Sequence, residues 1–180
     1  GLRHLQGPDD IRAQHQLVTA GLGASRLRLV MRTSMGGMHT WLWAQRFPDA
    51  MDALMPLASL PDQISGRNRA WRRVAIDAIR TDPSWADGNY TTQPKAVRYA
   101  NVFFGITTIG GTLAYQKQAP NREAADKLVE QRMNAPFTAD ANDFLYQWDA
   151  SRDYNASPGL ERIRAALLAI NAADDERNPP

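Results

Sequence analysis

The sequence predicts an α/β chain in which a few parallel strands each feed a helix and a block of helices is inserted between consecutive strands. Three observations carry that prediction. Short apolar runs, "SRLRLVM" and "MDALMPLAS", alternate with helix-length segments in the first third, the order expected of a parallel sheet covered by helices. From Pro61 to about Tyr154 the patterning is helical only. A strand-like run, "RAALLAINAAD", then returns near the end and finishes in acids.

Each element has local reasons. Asp9 or Asp10 caps a first helix running to Ala20, with Ile11, Gln14, Val18 and Leu22 on one stripe and Gly21 or Gly23 as its stop. "SRLRLVM" reads as a strand entering a buried sheet. After Ser34 a helix runs from Met35 to Phe47, with Met38, Leu42 and Phe47 inward, and Pro48 ends it. "MDALMPLAS" is nearly continuous in apolar residues, the mark of a strand buried on both faces.

In the insertion, "GRNRAWRRVAIDAIR" sets Trp71, Val74, Ala75, Ala78 and Ile79 at helical spacing, and "TDPSWADGNY" is a turn-rich loop. "PKAVRYANVFFGITTIGG" gives a helix ending near Gly110 and Gly111, Asn121 caps "REAADKLVEQRM", and "TADANDFLYQWDASRDY" is a fourth helical segment. Ser157 and Pro158 start a short helix. The implied boundaries are 1–60 for the strand-and-helix core, 61–155 for the helical cap, and 156–180 for the return to a core strand and an acidic loop.

Composition narrows the function classes. With 180 residues, 43% hydrophobic and 22% charged, the chain can bury a real core. Its net charge is +2 and its 21 basic residues are interleaved with 19 acidic ones, so a pI of 9.2 is weak reason to expect a polyanion. No basic block, aromatic platform or zinc-ligand spacing suggests nucleic acid. The absence of cysteine excludes disulfides and thiolate metal sites. No ligand cluster or phosphate loop implies a metal or cofactor. No apolar run is long enough for a membrane span and the start has no signal core, so the chain reads as soluble, with cytoplasm or periplasm open. "GLRHLQGPDD" and "ADDERNPP" both read as loops cut from a longer sequence.

The chemistry centres on "RTSMGGM", where Ser34 sits between a buried strand and a helix. This is the context of a nucleophile elbow, in which a tight turn exposes the hydroxyl and the amide of Met35 stabilises a developing oxyanion. The competing reading is a helix cap, a role serine often fills. The local pattern divides these evenly, because the first glycine of G-x-S-x-G is replaced by Arg32. Either the elbow is distorted or Arg32 escapes along the surface with its stem packed.

Four stretches in order shift the balance. "TSMGGMHTWLWAQRFPDAMDALMPLAS", "AIRTDPSWADGNY", "DANDFLYQWDA" and "ADDERNPP" together resemble the homoserine O-acetyltransferase-like branch of the α/β-hydrolase superfamily, over nearly the whole chain. The resemblance implies a partial α/β-hydrolase fold with a helical cap, and acyl transfer or ester hydrolysis through a serine acyl-enzyme. It makes Ser34 the nucleophile, Met35 an oxyanion donor, and Asp175 (or Asp174) the acid that orients a histidine. Without it, the Asp-Asp-Glu cluster reads as a solvated loop.

The family's order is Ser, Asp, His, yet no histidine follows Asp175. His4, His15 and His39 all precede it, and the spacing of His39 from Ser34 turns it away from the elbow. The second oxyanion donor belongs to an upstream loop in this fold, outside these residues. In homoserine O-acetyltransferases an arginine on the first cap helix binds substrate. Aligned through A-I-R-x-D-P, that position is Ile76, with Arg69, Arg72 and Arg73 expected on other helix faces, which argues against homoserine as acceptor. Asn68 matches a family asparagine and, with Trp71 and Tyr146, is a candidate for the substrate pocket. Trp41, Trp43, Phe103, Phe104 and Trp148 line an acyl pocket or are simply core.

The resulting expectation is a serine hydrolase or acyltransferase acting on a small acyl ester or thioester, with water able to replace the amino-acid acceptor. Its partners are the substrate and either a second copy or a completing chain, not nucleic acid or membrane. The alternatives are a non-catalytic remnant or interaction module, and one half of a split enzyme.

Overall fold

The computed structural model describes residues 7–108 and 111–179. The chain divides into two compact units, one formed by 1–64 with 150–180, the other by 65–149. In the first, helix α1 (Gly7–Gln16) passes into a π-helical turn at Leu17–Gly21, followed by β1 (Leu27–Thr33), α2 (Met35–Arg46), β2 (Met51–Leu57) and the two-residue β3 (Ala166–Leu167). The sheet order is β1-β2-β3 and both pairings are parallel. Register runs from Leu27 opposite Met51 to Thr33 opposite Leu57, and Ala53 faces Ala166. One further parallel bridge joins Leu57 to Ile170.

The helix stripe expected on α1 holds for Ile11, which is fully buried, but Leu22 lies beyond the turn and is 73% exposed. Helix α2 presents Met38, Trp41, Trp43 and Ala44 to a core shared with Ile11, Met51, Leu54, Tyr154 and Ala156. Leu42 and Phe47 pack at its margin. β2, the run expected to be buried on both faces, has no exposed residue, whereas β1 is covered on one face only. Val30 packs into the core, whereas Leu29 and Met31, which alternate with it, are 45% and 52% exposed. Residues 150–156 are tied back to the end of β2: Tyr154 Oη donates to Leu60 O at 2.9 Å and Ala156 N–H to Pro61 O at 2.7 Å.

The second unit contains α3 (Gly66–Arg80), a 3-10 segment at Pro83–Gly88, α4 (Lys95–Thr107), α5 (Thr112–Gln118), α6 (Arg122–Asn134) and α7 (Ala141–Asp149). Its core is Ala75, Ile76 and Ile79 of α3 with Val97, Ala100 and Phe104 of α4 and Ala141, Phe144 and Leu145 of α7. The buried face of α3 differs from the expected one, because Val74 is 53% exposed while Asn68 and Arg72 are buried. Asn121 caps α6 through a 2.9 Å bond from Ala124 N–H. Asp140 does the same for α7, its Oδ1 accepting from Asn142 and Asp143 N–H.

Close approach at the top of the sheet depends on glycine. A Cβ on Gly37 would lie 2.5 Å from Ser59 Cβ and 3.1 Å from Leu57 O, both just past or at the end of β2. Gly37→Ala is therefore expected to destabilise the chain by about 1–3 kcal/mol through overpacking, with Ser59→Gly restoring part of the loss in a urea melt. A second expectation concerns acid. The Tyr90 hydroxyl, followed by the α7 amides and Gln93, holds the Asp140 carboxyl below the usual carboxylate range. A depressed folded value stabilises above the ordinary titration point, at roughly pH 4, and that stability is lost as pH falls through the folded value. Asp140→Asn is expected to lower the Tm at neutral pH and to flatten its acid dependence.

Candidate active site

Ser34 links the last residue of β1 to the first of α2. Its backbone adopts φ 54° and ψ −122°, a positive-φ conformation that L-residues rarely hold, at a cost on the order of 1–3 kcal/mol. Two backbone bonds hold the turn. Ser34 N–H donates to Leu57 O at 2.9 Å, and Ser34 O accepts from Met38 N–H at 3.1 Å. The hydroxyl makes no capping bond to α2. The residue thus occupies the cap position without the side-chain bond that defines a serine cap.

Packing absorbs the departure at Arg32. A Cβ on Gly36 would stand 2.9 Å from Arg32 Cβ and 3.2 Å from its Cδ. A side chain at position 36 would therefore force the Arg32 stem to shift, and Gly36 clears the space that this stem occupies. Arg32 itself is exposed, so of the two outcomes expected for it, the chain takes the surface route. Met35 is the first residue of α2, and its amide belongs to the opening turn, whose N–H groups have no intrahelical acceptor. The helix dipole adds a positive field there.

Asp175 lies in the loop that follows β3. Its Oδ1 accepts from Arg177 N–H at 2.9 Å and Asn178 N–H at 2.8 Å, and its own N–H donates to Ala172 O. Asn171 Nδ2 closes the same loop onto Asn178 O. Asp175 is half-buried, whereas the adjacent Asp174 is exposed. Ser34 and this loop leave the carboxyl ends of β1 and β3, with only β2 between them, a lateral separation of about 10 Å at normal strand spacing. In open parallel sheets that edge is where ligands bind.

The histidines have other partners. His4 lies outside the described residues. His15 stacks on Phe47 with ring centroids 3.7 Å apart. His39 Nδ1 is 3.3 Å from Gln14 Nε2, and its Nε2 is 3.9 Å from Asp10 Oδ2, both on α1. Burial lowers its pKa, with Asp10 opposing and Arg32 assisting. Among the described residues no group of three or more His, Cys, Asp or Glu side chains could hold a metal, and no helix is long and apolar enough to cross a membrane.

The remaining site candidates belong to the helical unit. Asn68 is buried and its Oδ1 accepts from Arg72 Nε at 2.8 Å; Trp71 is half-buried and Tyr146 is 42% exposed. Arg72 shares the buried face with Ile76, one turn on, rather than another face. It is 1% exposed, donates to Trp148 O at 3.2 Å and lies 5.0 Å from the Trp148 ring centre. Arg73 is exposed and paired with Asp77. The spacing of Asn68 and Arg72 was a legible signal for this contact, but a polar pair on an otherwise charged segment reads as surface. The bonds joining Gln14 to His39 and Trp43 span 25 and 29 residues and leave no local pattern.

Comparison with known proteins agrees with the architecture. No family model matches the chain. The homoserine O-acetyltransferase of Solidesulfovibrio magneticus is 31% identical over 172 residues, covering 94% of this chain and 41% of the relative. That of Trichlorobacter lovleyi is 33% identical over 178 residues, covering 91% and 48%. Among solved structures, homoserine O-acetyltransferase from Bacillus anthracis superposes with a TM-score of 0.87 at 22% identity over 97% of this chain and 52% of that one. The acetyl esterase MekB gives 0.79 at 24%, over 98% and 55%. The chain spans about half the length of the curated relatives it matches. Over nine-tenths of these 180 residues the chain is homologous to part of the homoserine O-acetyltransferases, and it shares their parallel-sheet α/β-hydrolase fold, consistent with a partial homoserine O-acetyltransferase-like protein.

Proposed function

We propose that the chain carries the nucleophile of a serine-dependent enzyme that cleaves or transfers the acyl group of a small ester. The observation that carries this reading is the strained backbone of Ser34 at a strand-to-helix turn, with its hydroxyl released from capping. In the proposed reaction Ser34 Oγ attacks the ester carbonyl, the carbonyl oxygen collects negative charge beside the Met35 amide, and the bond to the alcohol breaks. The serine proton passes through a base to the departing alkoxide. Water, or an acceptor hydroxyl, then attacks the acyl-enzyme and restores the serine. The base is a histidine supplied from outside the described residues and oriented by Asp175, whose Oδ1 is already held by two amides.

Hydrolysis or transfer to an uncharged acceptor suits this chain better than homoserine acetylation. Ile76 stands where the resemblance puts the substrate-binding arginine, and it is 2% exposed in the core of the helical unit. Arg72 cannot replace that arginine, since its guanidinium is bonded to Asn68 and Trp148 and buried. A similar fold in an acetyl esterase and in an acetylester hydrolase from Corynebacterium glutamicum supports the ester reading. A second reading, completion by another chain or a second copy, is favoured by a β1 edge that no other described strand pairs and by the exposed Leu29 and Met31.

The test is acylation by para-nitrophenyl acetate with added imidazole standing in for the base, read as covalent acetyl on the peptide containing Ser34. Imidazole is expected to raise the acylation rate at least about tenfold, at or below the ~10²–10⁴ of a positioned base. Ser34→Ala should remove the modification while leaving the circular dichroism unchanged. Equal acetylation of both proteins, or acetyl found only on lysines, would falsify the assignment.

A further inference from the structure

A cavity of about 120 Å³ opens beside the first turns of α2, walled by Met35, Met38 and Leu42 on one side and reached by Asp10, His39 and Asn155. Its chemistry follows from a chain of three hydrogen-bonding groups. The Trp43 indole N–H can only donate, and it donates to Gln14 Oε1 at 3.0 Å. That bond sets the orientation of the Gln14 amide, so its NH₂ group faces His39 Nδ1 at 3.3 Å. Nδ1 must then be the accepting nitrogen, and the imidazole proton sits on Nε2. That N–H faces Asp10 Oδ2 across 3.9 Å, beyond direct hydrogen-bond distance.

We propose that this cavity is a binding site for a compact neutral alcohol whose hydroxyl accepts from His39 Nε2–H and donates to Asp10, with its carbon body against Met35, Met38 and Leu42. A hydroxyl both accepts and donates at a single atom, and an oxygen seated beside the two partners reaches both. The apolar side chains of α2 face polar groups of α1, α2 and residues 151–155, Ser151 and Asp153 among them, and an apolar wall with convergent polar groups is a usual composition of a small-molecule site. Burial, the dominant influence on His39, favours the neutral ring that this arrangement needs. Because Nδ1 is occupied by Gln14 and Nε2 carries the proton, His39 acts as a donor there and does not take a proton from the ligand. Gln14 is a positioning residue that acts through His39.

The experiment is isotope-edited NMR of the 180-residue chain titrated with sec-butanol, observing the His39 ring and the Met35 and Met38 methyl groups. The expected result is an Nε2–H tautomer before addition, then saturable shifts confined to those groups with a Kd in the roughly millimolar range of a ligand this small. His39→Leu and Gln14→Leu should each weaken binding at least tenfold. Unchanged far-ultraviolet dichroism and a cooperative thermal melt verify that the variants are folded. An Nδ1–H tautomer, shifts that grow linearly or spread over the exposed apolar surface, or unchanged affinity in both folded variants overturns the proposal. Water alone as the occupant appears as the absence of any shift, and it overturns the site too. Repeating the titration in Ser34→Ala separates this site from the nucleophile, since alcohol binding is expected to survive there.

Discussion

The carboxyl edge of the sheet depends on how closely α2 can approach it. Ser34 must reverse the chain within a single residue, which its positive φ achieves. The bond from its amide to Leu57 O then couples that reversal to β2. The helix can start at Met35 only because Gly36 and Gly37 carry no Cβ toward Arg32 and toward Ser59. Local strain of a few kcal/mol is held by packing that surrounds it, which is how such backbone geometry persists. A cap serine would have relaxed the turn and used its hydroxyl; this one does neither.

The same edge organises the rest of the unit. Leu57, where Ser34 is anchored, also bridges to Ile170, and Ala58 N–H donates to Ile170 O. The end of β2 is therefore a common support for the serine turn on one side and the acidic loop on the other. β3 needs only two ladder residues because this second attachment continues its alignment. The face of β1 opposite Val30, by contrast, leaves Leu29 and Met31 largely exposed, an unusual state for a parallel sheet.

Much of this was legible in the sequence, and the failures have physical causes. Alternating apolar runs and helix-length segments identified the strands of the core and the helical character of residues 61–154, and Asn121 was recognisable as a cap because capping is local. The exposure of one face of β1 was not, since an apolar strand reads the same whether or not anything covers it. Arg72 was misplaced on its helix because guanidinium groups are assumed to face water, whereas contacts such as those with Asn68 and Trp148 compensate its burial. The polar chain through Gln14 was invisible for a different reason: residues far apart in sequence meet only after folding. At Ser34 the local pattern was ambiguous, and resemblance across four separated stretches pointed toward the elbow.

The clearance between positions 32 and 36 bears on how such turns are recognised at all. The two glycines of the G-x-S-x-G pattern are usually treated as independent letters, yet here the space at position 36 is the one that the side chain at position 32 occupies. Gly36 provides that space, and a long side chain is admitted at position 32. Signatures that insist on both letters will pass over chains like this one, whereas a rule that asks for the second glycine alone would retain them.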